Sequence, residues 1–286
     1  MRCYVCDTET RPRQRYCDQC RIFFRRHREN LKRRTALREA YDRDNDAFRD
    51  HWSGVILEEK DQTDPFHLCF DHLLPTKASR LVVSSELFNH MKYELVPDEF
   101  TRVIRELATH RTGRRFDKEC IEFTHWGVRA PSPPRPKRRP RRRKDAKAPI
   151  SACFVCGQPS VPWSCYCARC GPYVRWKHRD YRVRAKALKR AWSAEEDGFL
   201  CHYTGVKVEL DDPGNPWYLS FDHGIPGDKE TLIVAAFWVN MMKHSLSEAE
   251  FWAVVLEYDR YSREGGEFDR DVVDFKYWRL ARKLRE

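Results

Sequence analysis

The sequence predicts an α+β fold that occurs twice in the chain, and three observations carry that prediction. A set of four cysteines near the N-terminus returns in the middle of the chain with identical spacing. Behind each set, the same residues recur at a nearly constant offset. In each copy, short apolar stretches typical of strands alternate with stretches typical of helices. We therefore predict a tandem duplication of one small domain.

The duplication holds its register over most of the chain. The cysteine sets are offset by 150 residues, and an offset of 151 then continues through most of each half. At that offset His27 and Arg28 match His178 and Arg179, and near the ends Phe116 matches Phe268 at an offset of 152. A repeat of this length indicates a duplicated domain, because solenoid repeats are much shorter.

Composition indicates a globular, very polar and basic protein. The 286 residues suffice for two modest domains, 34% of them are charged and the net charge is +11. An excess of positive charge favours a polyanionic partner, most often nucleic acid. No apolar run approaches the ~20 residues that a membrane span needs, so no membrane partner is expected.

The cysteines indicate a reducing compartment. The chain has 12 cysteines, and its first residues lack the apolar core of a signal peptide. Cysteines in such a context bind metal more often than they form disulfides. We expect an intracellular protein, cytoplasmic in a bacterial or phage setting, with a nuclear location open because of the basic segment described next.

A linker separates the two copies. Residues 129–149 are rich in Pro and Arg, a composition that favours a disordered cationic spacer able to contact phosphate. The predicted organisation is a metal-binding unit at 1–26 and a domain at 27–128, the linker at 129–149, then a second unit at 150–177 and a second domain at 178–286.

Each copy shows the same order of predicted elements after its cysteines. A basic helix comes first, at 25–41 and 177–192. Strand-like pieces follow at 52–59 and 65–72 in one copy and at 203–210 and 216–223 in the other. A short apolar strand then leads into one helix, and a second helix comes after it. Ser247 and Glu250 have the spacing of a capping box at the start of the last helix.

The cysteine sets have the spacing of structural zinc sites. Both follow C-x2-C-x10-C-x2-C, which suits tetrahedral thiolate ligation in a closed site. Cys165 lies inside the second set, but the spacing of the first set selects Cys167 as the ligand. The predicted zinc ligands are Cys3, Cys6, Cys17 and Cys20, and Cys153, Cys156, Cys167 and Cys170.

A second group of polar residues is kept in both copies. Each copy contains Asp-His followed three residues after the His by a Pro, and an Asn and a Lys three residues apart on the next predicted helix. Burying these groups without partners is costly, so a hydrophobic core alone does not explain them. The residues are Asp71, His72, Asn89 and Lys92, and Asp222, His223, Asn240 and Lys243.

This group resembles the motif of the HNH, or ββα-metal, endonuclease family, which reads roughly Asp-His-[Ile/Val]-x-Pro, then an Asn on the following helix and a Lys three residues after it. This chain departs from the pattern at the [Ile/Val] position, where it has Leu73 and Gly224. The resemblance covers residues 54–92 and 205–243. It implies a fold in which each half is a small zinc knuckle, a basic helix and a ββα-metal domain with an extra C-terminal helix. It also implies two sites that hydrolyse phosphodiester bonds with a divalent cation, most simply Mg²⁺.

The resemblance implies a role for each residue of the group. His72 and His223 would be general bases that deprotonate water. Asp71 with Asn89, and Asp222 with Asn240, would hold one Mg²⁺ per site through oxygen atoms, and Lys92 and Lys243 would approach the phosphate charge.

The basic helices are predicted to follow DNA phosphates. The residues proposed for this contact are Arg25, Arg26, Arg28 and Arg33 in the first copy, and Arg175, Lys177, Arg179 and Arg184 in the second.

The function expected from the sequence is a DNA endonuclease of phage, mobile-element or homing type. Two sites in one chain would act as a pseudo-dimer on both strands of a duplex, so that the protein is a monomer with internal pseudo-two-fold symmetry. The main alternative is a non-catalytic, zinc-containing nucleic-acid-binding protein with relic HNH domains. An RNA-binding or RNA-cleaving protein is a third possibility.

Overall fold

The computed structural model describes residues 1–24, 30–76, 78–127, 151–174 and 180–278. Within these residues the chain forms two compact units, and neither coincides with a half of the sequence. The first comprises Met1–Val128 together with Met241–Glu286, and the second comprises Arg129–Asn240. The C-terminal part of the second copy therefore belongs to the same unit as the first copy.

The described helices and strands follow the same order in both copies, apart from short 3₁₀ turns. The first copy contains α1 (Asp18–Arg21), α2 (Asn30–Ala40), β1 (Tyr41–Asp42), β2 (Ala47–Phe48), β3 (Leu68–His72), β4 (Leu81–Ser85), α3 (Glu86–Lys92) and α4 (Pro97–Arg111). The second copy contains α5 (Gly171–Val174), α6 (Tyr181–Ala191), β5 (Trp192–Ser193), β6 (Gly198–Phe199), β7 (Leu219–His223), β8 (Leu232–Ala236), α7 (Phe237–Lys243) and α8 (Glu248–Glu264). The mixed α and β content and the duplicated order agree with the predicted α+β duplication.

The main hairpin of each copy is formed by two five-residue antiparallel strands. In the first copy Leu68 pairs with Ser85 and His72 pairs with Leu81. The second hairpin has the same register, with Leu219 opposite Ala236. The Asp-His pair thus occupies the last two positions of the first strand in both hairpins, next to the connecting loop.

One expectation about the strands differs from the structure. The stretch 52–59 was expected to be a strand, but the hairpin partner of β3 is the short apolar stretch after it, β4. Residues 52–59 form a turn at Gly54, where φ is 72°, and only the isolated bridges Arg49–Ile56 and Glu58–His67. A positive φ interrupts the extended backbone that a ladder needs. The equivalent stretch at 203–210 behaves the same way, around Gly205.

Helix starts are fixed by local hydrogen bonds. The Ser85 hydroxyl, at the end of β4, accepts from the Phe88 N–H and so begins α3 directly after the hairpin. The predicted capping box of α8 is confirmed, because Ser247 accepts from the Glu250 N–H while the Glu250 carboxylate accepts from the Ser247 N–H. The Ser85 cap thus places the first residue of α3 directly after the last residue of β4.

The core of the first unit is aromatic and lies where α4 packs against α8. These two helices are equivalent in the duplicated sequence. The rings of Phe88, Phe100, Tyr258 and Phe268 lie within 5.2 to 6.5 Å of a neighbouring ring centroid in this cluster. Burial of several large rings contributes much of the hydrophobic stabilisation of a small domain.

The hairpin of the first unit lies between two helices. Helix α2 packs against β4, while α3 contacts both strands. Side chains alternate between the two faces of a strand. Phe70 lies under the Arg33 guanidinium of α2, whereas Cys69 and Asp71 contact residues of α3.

The second unit repeats this local packing with its own residues. Helix α6 packs against β8, and the buried Leu188 and Val234 belong to these two elements. The indole rings of Trp217 and Trp238 meet edge to face at 5.6 Å. The hairpin is thus supported by α6 much as the first hairpin is supported by α2.

Candidate metal centres and hairpin sites

The first cysteine set converges in space. Its four Sγ atoms all lie within 4.8 Å of one another. The Sγ atom of Cys6 is 3.6 Å from that of Cys17 and 3.7 Å from that of Cys20. A tetrahedral ion with Zn–S bonds of ~2.3 Å separates its sulfurs by about 3.8 Å. The four sulfurs therefore already occupy positions that suit zinc.

The second cysteine set has the same geometry. Cys153, Cys156, Cys167 and Cys170 offer sulfurs within 4.8 Å of one another, and the Cys156 and Cys167 sulfurs are 3.6 Å apart. Cys165 is exposed and lies outside the cluster, as the spacing predicted. In both sets a backbone N–H, that of Cys20 or Cys170, points at the Sγ of the preceding ligand at 3.4 Å. Such N–H groups stabilise thiolate.

Proton affinities differ within each set. Burial raises the pKa of Cys17 to about 11 and raises the pKa of Cys20 further. Burial also acts on Cys3, but N–H groups of Cys6 and its neighbours outweigh it and lower the Cys3 pKa to about 7. Cys153 matches Cys3, with its pKa also lowered to about 7. Thiolates on all four cysteines at neutral pH therefore need a cation, and the donor set fits structural Zn²⁺.

Asp71 and Lys92 form a buried ion pair in the first hairpin site. The Lys92 Nζ lies 3.4 Å from Asp71 Oδ2 and donates to the Leu95 carbonyl at 3.2 Å. Lys92 is 0% exposed and Asp71 is 2% exposed. The ammonium also lies 5.7 Å from the centroid of the Trp52 ring. The residue expected to approach phosphate is therefore enclosed by protein and neutralises a carboxylate.

The second hairpin site places a tyrosine against the equivalent carboxylate. The Tyr203 hydroxyl donates to Asp222 Oδ2 at 2.5 Å, and both residues are buried. The first copy has Trp52 at the position of Tyr203, and the Trp52 ring lies beside the Lys92 ammonium. Lys243 is as completely buried as Lys92.

The two predicted bases lie at the exposed end of their hairpins. His72 and His223 are both half-buried at the last position of their strands. His72 Nδ1 lies 3.3 Å from the Ser79 hydroxyl, and His223 Nδ1 lies 2.9 Å from the Asp228 carbonyl oxygen. A carbonyl only accepts, so Nδ1 of His223 carries the hydrogen. In the neutral ring Nε2 then holds the lone pair.

The two asparagines face the strands that carry the Asp residues. Asn89 Nδ2 donates to the Cys69 Sγ at 3.4 Å. Asn240 Nδ2 donates to the Ser220 hydroxyl at 3.3 Å and to the Phe221 carbonyl at 3.2 Å. These bonds use the amide nitrogen, so the amide oxygen is the atom of each side chain that could bind a cation.

In the first copy the structure thus brings Asp71, Asn89 and Lys92 to the α3 face of β3, with His72 at the end of the same strand. In the second unit Asp222, His223 and Asn240 take the corresponding strand and helix positions. Sequence reasoning missed Tyr203 and Trp52 as neighbours of this group. The 151-residue offset pairs them with each other, but nothing in the sequence places them beside the Asp.

Two of the predicted phosphate-binding arginines have internal partners. The Arg33 guanidinium lies 4.4 Å from the Phe70 ring centroid, and that of Arg184 lies 4.8 Å from Phe221. This duplicated cation–π contact ties each basic helix to its hairpin. The other predicted DNA-binding residues lie outside the described residues, namely Arg25, Arg26, Arg28, Arg175, Lys177 and Arg179.

Comparisons of the chain with known proteins find no similar protein. No family model matches the chain, nor does any curated protein or solved structure. Among the described helices, none combines the length and apolar character that crossing a membrane requires.

Proposed function

We propose that this chain is a metal-dependent DNA endonuclease with two HNH-type sites, one per copy. One observation carries the proposal. In both copies a hairpin and the helix after it present a buried Asp, a half-buried His beside it and an Asn whose amide nitrogen is bonded to the same strand. Retention of all three residue types in the same register of two diverged copies indicates a shared chemical task.

His72 and His223 are assigned as general bases. Imidazole accepts and releases protons near neutral pH, which suits the activation of a water molecule. The hydrogen bond from His223 Nδ1 to the Asp228 carbonyl orients the ring and leaves Nε2 as the basic nitrogen. Ser79 has the corresponding place beside His72.

The proposed cation ligands are Asp71 with Asn89, and Asp222 with Asn240. A carboxylate and an amide oxygen are the hard donors that Mg²⁺ prefers. When bound, the ion would neutralise phosphate oxygens and stabilise the leaving oxygen. The protein's own contribution is to hold the two donors on adjoining elements, a strand and the helix capped directly after the hairpin.

Lys92 is reassigned from phosphate contact to positioning. Its buried pair with Asp71 fixes the carboxylate on the α3 face of β3. Tyr203 has an analogous task at Asp222 through its hydroxyl. Both contacts keep a metal-binding carboxylate in one orientation, which a hydrolytic site needs.

Duplex DNA is the proposed substrate because two equivalent sites suit its two strands. The net charge of +11 supports a polyanionic partner.

The test is cleavage of supercoiled plasmid by purified protein. With Mg²⁺ the wild type converts the plasmid to cut forms, and without divalent metal it does not. His72→Ala/His223→Ala lowers the rate by ~10²–10⁴-fold. The matched control is His51→Ala/His202→Ala, which changes an exposed pair of histidines at equivalent positions of the two copies and keeps the rate. Plasmid that stays intact while DNA binding persists would favour the non-catalytic binding protein instead.

A further inference from the structure

A groove of about 690 Å³ lies between the first cysteine knuckle and α2, all within the first unit. Its floor includes the backbone around Cys3, and its walls carry exposed polar side chains. It is separate from the hairpin site and shares no residue with the Asp-His-Asn group. Four arginines line it: Arg2, Arg15, Arg34 and Arg38.

The positive charge of the groove is not cancelled by its own acids. Within the described part of the chain, these four arginines make no side-chain ion pair. The two acidic residues of the groove form ion pairs with arginines that do not line it. Asp7 pairs with Arg43 at 2.9 Å, and Glu39 pairs with Arg80 at 2.6 Å. The groove therefore presents a strongly positive field to an anion that enters it.

An exposed aromatic ring lies among these arginines. Tyr4 is 47% exposed, and the Arg34 guanidinium lies 5.7 Å from its ring centroid. The Tyr16 ring meets the Tyr4 ring in a T-shaped contact, with the two centroids 6.0 Å apart. A supported, solvent-facing ring beside cations is the arrangement on which nucleobases stack.

The second copy keeps an exposed ring, Phe154, and one cation, Lys189, at the positions of Tyr4 and Arg38, but it lacks the other three arginines. Ala152, Cys165 and Ala185 stand where the first copy has Arg2, Arg15 and Arg34. The Lys189 ammonium, at the position of Arg38, lies 4.7 Å from the ring of Phe154. The groove is thus a specialisation of the first copy, and the duplicated fold does not require it.

We infer that this groove binds a single-stranded segment of nucleic acid, with phosphates on the arginines and a base stacked on Tyr4. A concave cationic surface with an exposed ring favours a single strand, because the base faces of a duplex are already stacked. The inference rests on the proposed function in that both take nucleic acid as the partner. It adds a site that would hold an unpaired strand at the first copy.

The experiment measures binding of a fluorescent oligothymidine of about 12 nucleotides, and of a duplex of equal length, by anisotropy without added divalent metal. The groove variant is Arg15→Gln/Arg38→Gln. Its control is Arg105→Gln/Arg115→Gln, which removes the same charge from exposed arginines of and after α4. Zinc content of each variant verifies that the knuckle is intact.

Loss of two phosphate contacts lowers the magnitude of the slope of log affinity against log salt by about 1.4 for a single strand. If the two proteins bind equally at ~1 M salt, this is a loss of roughly 65-fold in affinity at ~50 mM salt. The control pair keeps the wild-type slope. Tyr4→Ala weakens oligothymidine binding about tenfold and leaves duplex binding unchanged. These three results together support the site.

The inference is overturned if the groove pair and the control pair weaken binding equally, or if Tyr4→Ala does not affect the single strand. Equal loss of duplex and single-strand binding in the groove variant also overturns it. The plasmid assay distinguishes a failure of the groove inference from a failure of the proposed nuclease function. Mg²⁺-dependent cleavage that needs His72 and His223 stands even if the groove binds nothing, and groove binding stands if cleavage fails.

Discussion

Replacing Lys92 by Met removes the cation of the buried ion pair while keeping a side chain of similar length. The Asp71 carboxylate then stays 2% exposed without the ammonium that lies 3.4 Å away. The Leu95 carbonyl also loses its donor at 3.2 Å. Removing one partner of a buried ion pair typically costs about 3–5 kcal/mol. Since the methylene stem is kept, lost packing adds little, and we expect a loss in that range.

The assay is urea unfolding of the zinc-loaded full chain at neutral pH, followed by tryptophan fluorescence. Lys60→Met is the matched control, because Lys60 is exposed and surface changes usually stay within about 0.5 kcal/mol. The double variant Asp71→Asn/Lys92→Met removes both charges, so it costs less than the sum of the two single changes. A Lys92→Met protein no less stable than Lys60→Met would refute the buried pair and the positioning role built on it.

Three further predictions concern other parts of the molecule. Each cysteine quartet is expected to bind one zinc ion. The pKa of Cys17 is raised to about 11 and that of Cys20 is raised further, so both thiols are protonated at neutral pH. Zinc binding to the first quartet therefore releases at least about two protons. Its zinc affinity, measured by chelator competition, should rise at least about a hundredfold from pH 6.5 to 7.5, and a pH-independent affinity would contradict thiolate ligation. Tyr203→Phe removes the donor to Asp222 Oδ2 and should cost about 1.5–3 kcal/mol of unfolding free energy, with an unchanged midpoint arguing against that hydrogen bond. Ser247→Ala removes the α8 cap and should cost ~1 kcal/mol, whereas a neutral result would show that Glu250 alone holds the helix start.

Local features of the structure were predictable from the sequence because they depend on residues close together in the chain. The cysteine spacing identified both quartets and excluded Cys165. The capping box at Ser247 and Glu250 is confirmed for the same reason. The offset between the copies predicted that one order of elements would occur twice, and it does.

Strand pairing was harder to predict than strand existence. Residues 52–59 have the β-branched and apolar composition of a strand, but the turn at Gly54 interrupts them. The true partner of β3 is β4, an apolar stretch that reaches it through the loop after His72. Composition cannot decide between two nearby partners when a single backbone angle excludes one of them.

The surroundings of the hairpin sites were not predictable, because they join residues distant in sequence. The pattern Asn-x-x-Lys correctly placed Asn89 and Lys92 on one helix. A lysine is almost always exposed, however, and only packing of α3 on the hairpin shows that Lys92 is buried against Asp71. That residues 241–286 belong to the first unit was unpredictable for the same reason, because it depends on the packing of α8 against α4, which are far apart in the sequence.

The central claim is that each copy holds one working site for one DNA strand, and strand-specific nicking tests it most directly. His72→Ala and His223→Ala are prepared separately, and each is incubated with Mg²⁺ and a duplex labelled on one strand or the other. The account predicts that each variant cuts a single strand, that the two variants cut opposite strands, and that the wild type cuts both. Loss of all cleavage in one variant with unchanged cutting of both strands by the other would contradict the two-site account.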